Sequence, residues 1–519
     1  MKKNLFILLM LFTAVPFISC SNNELSIVKI DSGQIEGTLE NGICVFRGIP
    51  FAAPPVGDLR WKAPQPVSSW DGILKTGKFA PSCPQITMIP GTDQLELSED
   101  CLYLNVWTPA KKANEKLPVM VWIYGGGFAM GSASLPLYSG DELAKHEVIL
   151  VTVNYRVGAL GFLAHPELTA ESPDKVSGNY GLLDQIAALK WVQKNIEAFG
   201  GDPAKVTIFG ESAGAISVSM LCASPLAKGL FCGAISESGG SFGTVRPVRG
   251  SDGIQSLEAA ERDGLNFAQR MGTNSIDELR KLKPEHWLND ASAQMGGFWP
   301  VVDGYVITDD QYKLYEQGKY NDVNVLIGTN SDEGSMFARP AASVAEYQKS
   351  IRERFGAFAD RILEAYPANT VDETYYSAAD IFRETAFAWP TYAWANLQST
   401  TGKSNVFLYY FDQPQPPSPF FPAKARGSAH ASEMNYVFHH LTSQATESDM
   451  KLADIMIKYW TNFAKYGDPN GEDLPKWENY TADNPFVMLL KDIPQRIDLP
   501  DKDKLLLMEE YFKYLRENE

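Results

Sequence analysis

A Gly-x-Ser-x-Gly pattern occurs twice in the chain, as Gly210-Glu-Ser212-Ala-Gly214 and as Gly239-Gly-Ser241-Phe-Gly243. A serine hydroxyl attacks a carbonyl carbon only when the backbone holds it exposed and a base takes its proton. The pattern supplies that backbone on a tight turn between a strand and a helix, with glycines where side chains would clash. The bare pattern is weak evidence, so context decides. The first copy follows a short strand-like run, Lys205–Phe209, and Ile216 and Met220 after it suit the buried face of a helix. The second follows a strand-like Ala234-Ile235 but runs into Thr-Val-Arg-Pro-Val-Arg, with no helix start. Ser212 is therefore the expected nucleophile and Ser241 an expected loop residue.

Attack on an ester places negative charge on the carbonyl oxygen, and preorganised N–H groups stabilise it, each by roughly 3–4 kcal/mol in favourable cases. Gly125-Gly126-Gly127-Phe128 stands at the end of the strand-like Leu117–Tyr124 and can present N–H groups without side chains in the way. No Gly-Lys-[Ser/Thr] follows, which argues against a phosphate loop. The N–H of Ala213, next to the nucleophile, is the remaining expected donor.

The chain has six histidines. In the chain order nucleophile, acid, histidine, the base follows Ser212, which leaves His286, His430, His439 and His440. His286 lies in a polar helical stretch and reads as surface. His439 and His440 end an apolar segment and fit solvated or capping positions. His430 lies in Gly427-Ser-Ala-His430, a small-residue loop after the strand-like Asn405–Phe411, and is favoured on spacing. Asp332 and Glu333 follow the strand-like Val323–Ile327, and position alone does not choose between them.

The elements that must hold these residues alternate between strand-like and helix-like runs, as in an α/β fold around a mostly parallel sheet. Val148–Asn154 reads as a buried strand. Leu182, Ile186, Leu189 and Ile196 mark one helix face, Leu452–Phe463 a helix stopped at Gly467, and Leu505–Leu515 a last amphipathic helix. Regions 245–300 and 335–400 read as mixed and mostly helical, suited to lids or walls over a site. There is no internal repeat or long linker, and the 519 residues are 45% hydrophobic, enough for one large core. A formal net charge of −17 argues against a nucleic-acid partner.

Residues 1–19 read as a secretory signal, with Lys2 and Lys3 before an apolar run that is too short to span a bilayer. Residues 24–519 then form a single expected domain. Cys20 directly after the signal resembles a bacterial lipobox, although Phe17 departs from its usual leucine. A lipid on Cys20 would anchor an exported protein in the cell envelope without spanning the membrane. Cys83 and Cys101 flank a polar loop and are the candidates for a bridge, while Cys44 and Cys222 read as buried thiols. The cysteine spacing has no zinc-site pattern.

Together these residues resemble the type-B carboxylesterases, the cholinesterase-like branch of the α/β-hydrolases. The resemblance is carried by Phe46-Arg-Gly-Ile-Pro-Phe-Ala52, Ser98-Glu-Asp-Cys-Leu-Tyr-Leu-Asn105, Trp122–Phe128, Asn154-Tyr-Arg156, Phe209–Gly214 and Pro300-Val-Val-Asp-Gly304. It implies an α/β-hydrolase fold and a triad of Ser212, Glu333 and His430, with His430 in the motif Gly427-x-x-His430-x-x-Glu433. It also implies an oxyanion hole at Gly126, Gly127 and Ala213, and a disulfide between Cys83 and Cys101. Cys222 and Cys232 do not fall where the family's second disulfide would. Tyr124 stands where many members have histidine. No tryptophan lies between Cys83 and Cys101, so choline specificity is not expected.

The expected activity is hydrolysis of small carboxylic esters through an acyl-enzyme on Ser212, with no metal or organic cofactor. The rivals are a silent adhesion or binding protein on the same fold, and a lipase or polysaccharide-side-chain esterase. Met295, Phe298 and Trp299 are candidates for the acyl side of the pocket, with core packing an equal alternative.

Overall fold

A computed structural model describes residues 25–86, 94–246, 253–293, 295–415 and 424–518. The expected signal and Cys20 lie outside the described residues. At the centre is an eleven-stranded sheet. From one edge its strands are Gln495–Asp498, Phe486–Leu490, Val406–Phe411, Asn324–Asn330, Gly233–Glu237, Gly201–Glu211, Leu117–Ile123, Ile149–Val153, Tyr103–Thr108, Ile43–Pro50 and Thr38–Glu40. The strands from Phe486–Leu490 to Ile149–Val153 run parallel, and the margins are antiparallel.

Composition explains the parallel centre. Leu117–Ile123 and Ile149–Val153 are nearly unbroken apolar runs, buried on both faces, as strands covered by helices on each side must be. The helix Tyr180–Asn195 makes one crossover, with Leu182, Ile186 and Leu189 buried as the spacing predicts. Arg156, in the loop after Ile149–Val153, is buried against Asp184 of that helix, with Nε to Oδ2 at 2.8 Å and Nη2 to Oδ1 at 2.7 Å. A buried pair of this kind specifies register more than it adds stability. The helix Glu447–Tyr466 begins on a capping box of Thr446 and Asp449 and ends at Gly467, whose φ of 68° closes the last turn. The last helix spans Lys502–Glu517.

The 245–300 region is less helical than expected. Thr244–Arg246, Gly253–Ser256 and Val301–Val302 pair as a small parallel sheet, and the helix Leu257–Arg270 follows the second of them. These strands are two to four residues long, too short to display a period of two in the sequence. Region 335–400 is helical as expected, with helices at Val344–Phe355, Ala359–Ala365, Val371–Arg383 and Trp389–Thr401 joined in part by a π-helical turn, Glu384–Ala388.

The cysteines differ from expectation in one respect. Cys83 and Cys101 are both buried and adjacent, but both are free thiols. Cys101 is hydrogen-bonded to Cys83, and this contact together with burial holds the Cys101 thiol well above its ordinary pKa. The N–H of Val157 donates to Cys83 Sγ at 3.5 Å. Cys44 and Cys222 are buried free thiols, as expected.

Candidate active site

Five of the parallel strands deliver their C-terminal ends to one edge of the sheet, where ligands of open α/β sheets bind. Ile123 leads to the glycine run, Glu211 to Ser212, Glu237 to Ser238, Asn330 to Asp332 and Glu333, and Phe411 to the loop that carries His430.

Ser212 sits on a strained turn, with φ 55° and ψ −122°, a conformation costing about 1–3 kcal/mol for a side-chain-bearing residue. Its N–H donates to Glu237 O at 2.9 Å, and its carbonyl accepts from Ile216 N–H at 2.9 Å to start the helix Ala213–Ala223. The glycines of the pattern are sterically required. A Cβ on Gly214 would lie 1.9 Å from Ile123 O, and one on Gly210 would lie 2.6 Å from the same oxygen. Ala213 opens the helix, where the first N–H groups have no intrahelical acceptor.

The glycine run reaches the same place. Gly126 and Gly127 have φ of 109° and 61°. A Cβ on Gly126 would strike Met130 O at 2.3 Å. Tyr124, just before the run, is fixed reciprocally to Tyr155: its hydroxyl donates to Tyr155 O at 3.0 Å, the Tyr155 hydroxyl donates to Tyr124 O at 2.8 Å, and the rings stack at 4.4 Å. The turn is thereby held from behind.

His430 meets a carboxylate on each side of its ring. Nδ1 lies 2.6 Å from Glu333 Oε2, and Nε2 lies 3.1 Å from Glu211 Oε1. Glu333 is itself positioned: its Oε1 accepts from Asn330 N–H at 2.6 Å and from the Ser238 hydroxyl at 2.5 Å. Asp332 turns elsewhere. It accepts from Arg426 N–H at 2.5 Å and from Ser335 N–H at 3.3 Å, pinning the histidine loop to the strand end. Of the two carboxylates that position left open, Glu333 lies against the imidazole and Asp332 against backbone.

The electrostatics follow from burial. Glu211, Glu237, Glu333 and Glu433 are all buried within this cluster. Desolvation pushes Glu211 up to about 8, with Glu433 and Glu333 adding to the rise against the pull of His430. Desolvation and Glu333 raise Glu433 to about 7. Burial also holds Glu237 well above its ordinary value. Burial alone would depress the imidazole of His430, but the carboxylates of Glu211 and Glu333 outweigh it and raise the group to about 9.

The other eligible histidines are engaged elsewhere. His439 Nε2 lies 2.8 Å from Asp454, His440 Nδ1 lies 2.8 Å from Leu137 O, and His286 is exposed. Ser212 opens into a cavity of about 400 Å³. Ser241 is a loop residue as expected, yet it lines this same cavity, its N–H donating to Ser219 Oγ at 3.2 Å. Met295 and Trp299 also line it, whereas Phe298 packs against Phe267 at 5.1 Å in the core. Of the trio, Met295 and Trp299 thus lie at the cavity, and Phe298 takes the core-packing alternative.

Sequence reasoning did not single out Glu211 or Ser238. Glu211 was in plain view inside the serine pattern, and its place at a strand end beside Ser212 was the available signal. Ser238 likewise stands at a strand end, just after Glu237, whereas Glu433 already stands in the motif that marks His430. The cluster of Phe337, Phe382 and Phe387 over the histidine has no spacing that marks it.

Residues 24–506 match the model of the Carboxylesterase family. The chain is 37% identical over 486 residues to the Fumonisin B1 esterase of Sphingopyxis macrogoltabida, covering 90% of this chain and 87% of that protein. It is 35% identical over 482 residues to the Para-nitrobenzyl esterase of Bacillus subtilis, covering 89% and 94%. It is 36% identical over 519 residues to the Cholinesterase of Mus musculus, covering 90% and 83%. Among solved structures it resembles a PNB esterase with a TM-score of 0.79 at 35% identity, covering 93% of this chain and 99% of that one.

Proposed function

This chain belongs to the carboxylesterase family and is a serine carboxylic ester hydrolase, and on that premise we propose that Ser212, His430 and Glu333 carry its reaction. His430 Nε2 takes the proton of Ser212 as Oγ bonds to the ester carbon. The charge on the carbonyl oxygen falls to the N–H groups of Gly126, Gly127 and Ala213. As the C–O bond breaks, His430 gives its proton to the leaving alcohol. Water then attacks the acyl-enzyme with the same histidine as base, releasing the acid and restoring Ser212. Glu333 holds the Nδ1–H tautomer and stabilises the imidazolium.

The observation that carries this reading is the 2.6 Å contact of His430 Nδ1 with a Glu333 carboxylate held by Asn330 and Ser238, at the strand edge that also presents Ser212. Ser212→Ala is expected to lower kcat on p-nitrophenyl butyrate by on the order of 10⁴-fold or more with the fold intact. Retention of wild-type activity would contradict the reading.

The mature chain, in the same reading, is one domain from residue 24 onward, exported by the signal at 1–19 and lipid-anchored at Cys20. Labelled palmitate incorporated by the wild type and not by Cys20→Ser tests this; equal labelling or none opposes it. In an oxidising compartment the adjacent thiols of Cys83 and Cys101 join as a disulfide. Peptide mapping without reductant that recovers both as alkylated thiols would refute the bridge.

A further inference from the structure

At Gly127 the glycine run is covered by a methionine. A Cβ on Gly127 would lie 2.3 Å from Met295 Cγ, 3.3 Å from its Sδ and 3.4 Å from its Cβ, and these are the three atoms nearest to that position. Gly127, Ser212 and Met295 line the same cavity. Met295 stands on a turn with Gly296, whose φ is 81°, and is 46% exposed. Solutes in the surrounding water therefore reach a thioether that rests on the oxyanion segment. Among the described residues one other methionine is as open: Met450, 43% exposed, on the helix Glu447–Tyr466 and away from this cavity. The remaining described methionines are buried or half-buried.

A thioether is apolar and oxidisable. Its sulfur attacks the terminal oxygen of a hydroperoxide. The S–O bond forms as the O–O bond breaks, and the hydroxyl proton passes to the departing oxygen. Sulfur loses two electrons, and the hydroperoxide leaves as an alcohol, or as water from hydrogen peroxide. The product is a polar sulfoxide, which methionine sulfoxide reductases return to the thioether. We propose that Met295 is an oxidation site that switches the esterase off, because its sulfoxide oxygen sets partial negative charge beside the N–H groups that receive the oxyanion. The proposal rests on the assignment of Gly127 to the oxyanion hole. The charge opposes the one developing on the carbonyl oxygen, so the transition state suffers more than the bound ester. The exposed thiol Cys232 is no rival target. It precedes the strand Gly233–Glu237, at the end away from Ser212.

The test treats the wild type with hydrogen peroxide and follows p-nitrophenyl butyrate hydrolysis alongside the sulfoxide content of each methionine peptide. Activity is expected to fall in step with one added oxygen on Met295, with kcat lower by about 10- to 100-fold and KM within about twofold. Met295→Leu, compared with its own untreated activity, should resist the oxidant, and Met450→Leu should be inactivated at the wild-type rate. Methionine sulfoxide reductases for both epimers should restore the oxidised wild type, and dithiothreitol alone should not. Full sulfoxide at Met295 with activity retained, inactivation of Met295→Leu at the wild-type rate, recovery by dithiothreitol alone, or a loss carried by KM with kcat unchanged would overturn the proposal. Activity surviving Ser212→Ala would instead overturn the mechanism on which it rests.

Discussion

The strand edge and the cavity walls are two regions built under different constraints. At the edge, Ser212, Glu333 and the glycine run follow closely on buried parallel strands, and backbone contacts admit little variation. Gly210 and Gly214 have Ile123 O against them, Gly126 has Met130 O, and Ser212 N–H is fixed to Glu237 O. In the walls, residues arrive from a short three-stranded sheet, a turn and a π-helical segment, and they touch the cavity mainly through side chains. Backbone constraint leaves glycine patterns in a sequence, whereas side-chain lining leaves none. The residues of the proposed chemistry thus lie where the sequence marks them, and the cavity lining lies where it does not.

The largest effect that would break this contrast lies at the edge. Glu333→Gln keeps the shape but no longer holds the Nδ1–H tautomer; kcat is expected to fall by on the order of 10³–10⁴, measured in steady state. A loss under tenfold would remove the edge's claim on the chemistry. Gly214→Ala comes next: the new methyl meets a carbonyl oxygen that cannot move, so unfolding is expected to become easier by about 2 kcal/mol or more, read from urea denaturation. Unchanged stability would mean that the elbow is looser than its contacts indicate.

The pH dependence is an intermediate test. His430 must be neutral to accept the Ser212 proton, so activity rises with pH through its pKa. The group is raised to about 9 by Glu211 and Glu333, so the acid limb of kcat/KM should lie above the ordinary imidazole range. Glu211→Gln removes a carboxylate 3.1 Å from Nε2 and should move that limb to lower pH. A limb unmoved by the substitution would exclude Glu211 from the electrostatics of the base. The smallest effect is expected from Phe298→Leu, in the core behind the wall: kcat/KM within about twofold, with a stability loss of roughly 1–2 kcal/mol. A change in ester selectivity would place Phe298 among the lining groups after all.

The central strands were legible because they are long apolar runs, and the candidate residues Ser212 and His430 and the glycine run were legible because tight turns demand glycine and small residues. It did not separate Asp332 from Glu333. Both follow one strand by similar distances, and only side-chain direction sends one to His430 and the other to Arg426 N–H. The small sheet was hidden by strands too short to show a period. Glu211 was hidden by its own motif, where glycine and serine draw the reading. Ser241 was read correctly as a loop residue, yet its place in the cavity wall depends on a fold that brings residues 241 and 212 together.

That proximity makes one measurement decisive. The protein is reacted with a phosphonofluoridate until esterase activity is lost, and the adduct is located by peptide mass. Both serine patterns face the same cavity, so the reagent chooses between activated and ordinary hydroxyls. One adduct per chain on Ser212, forming in step with the loss of activity, is the expected result. An adduct on Ser241, or complete inactivation with Ser212 unmodified, would contradict the assignment of the nucleophile.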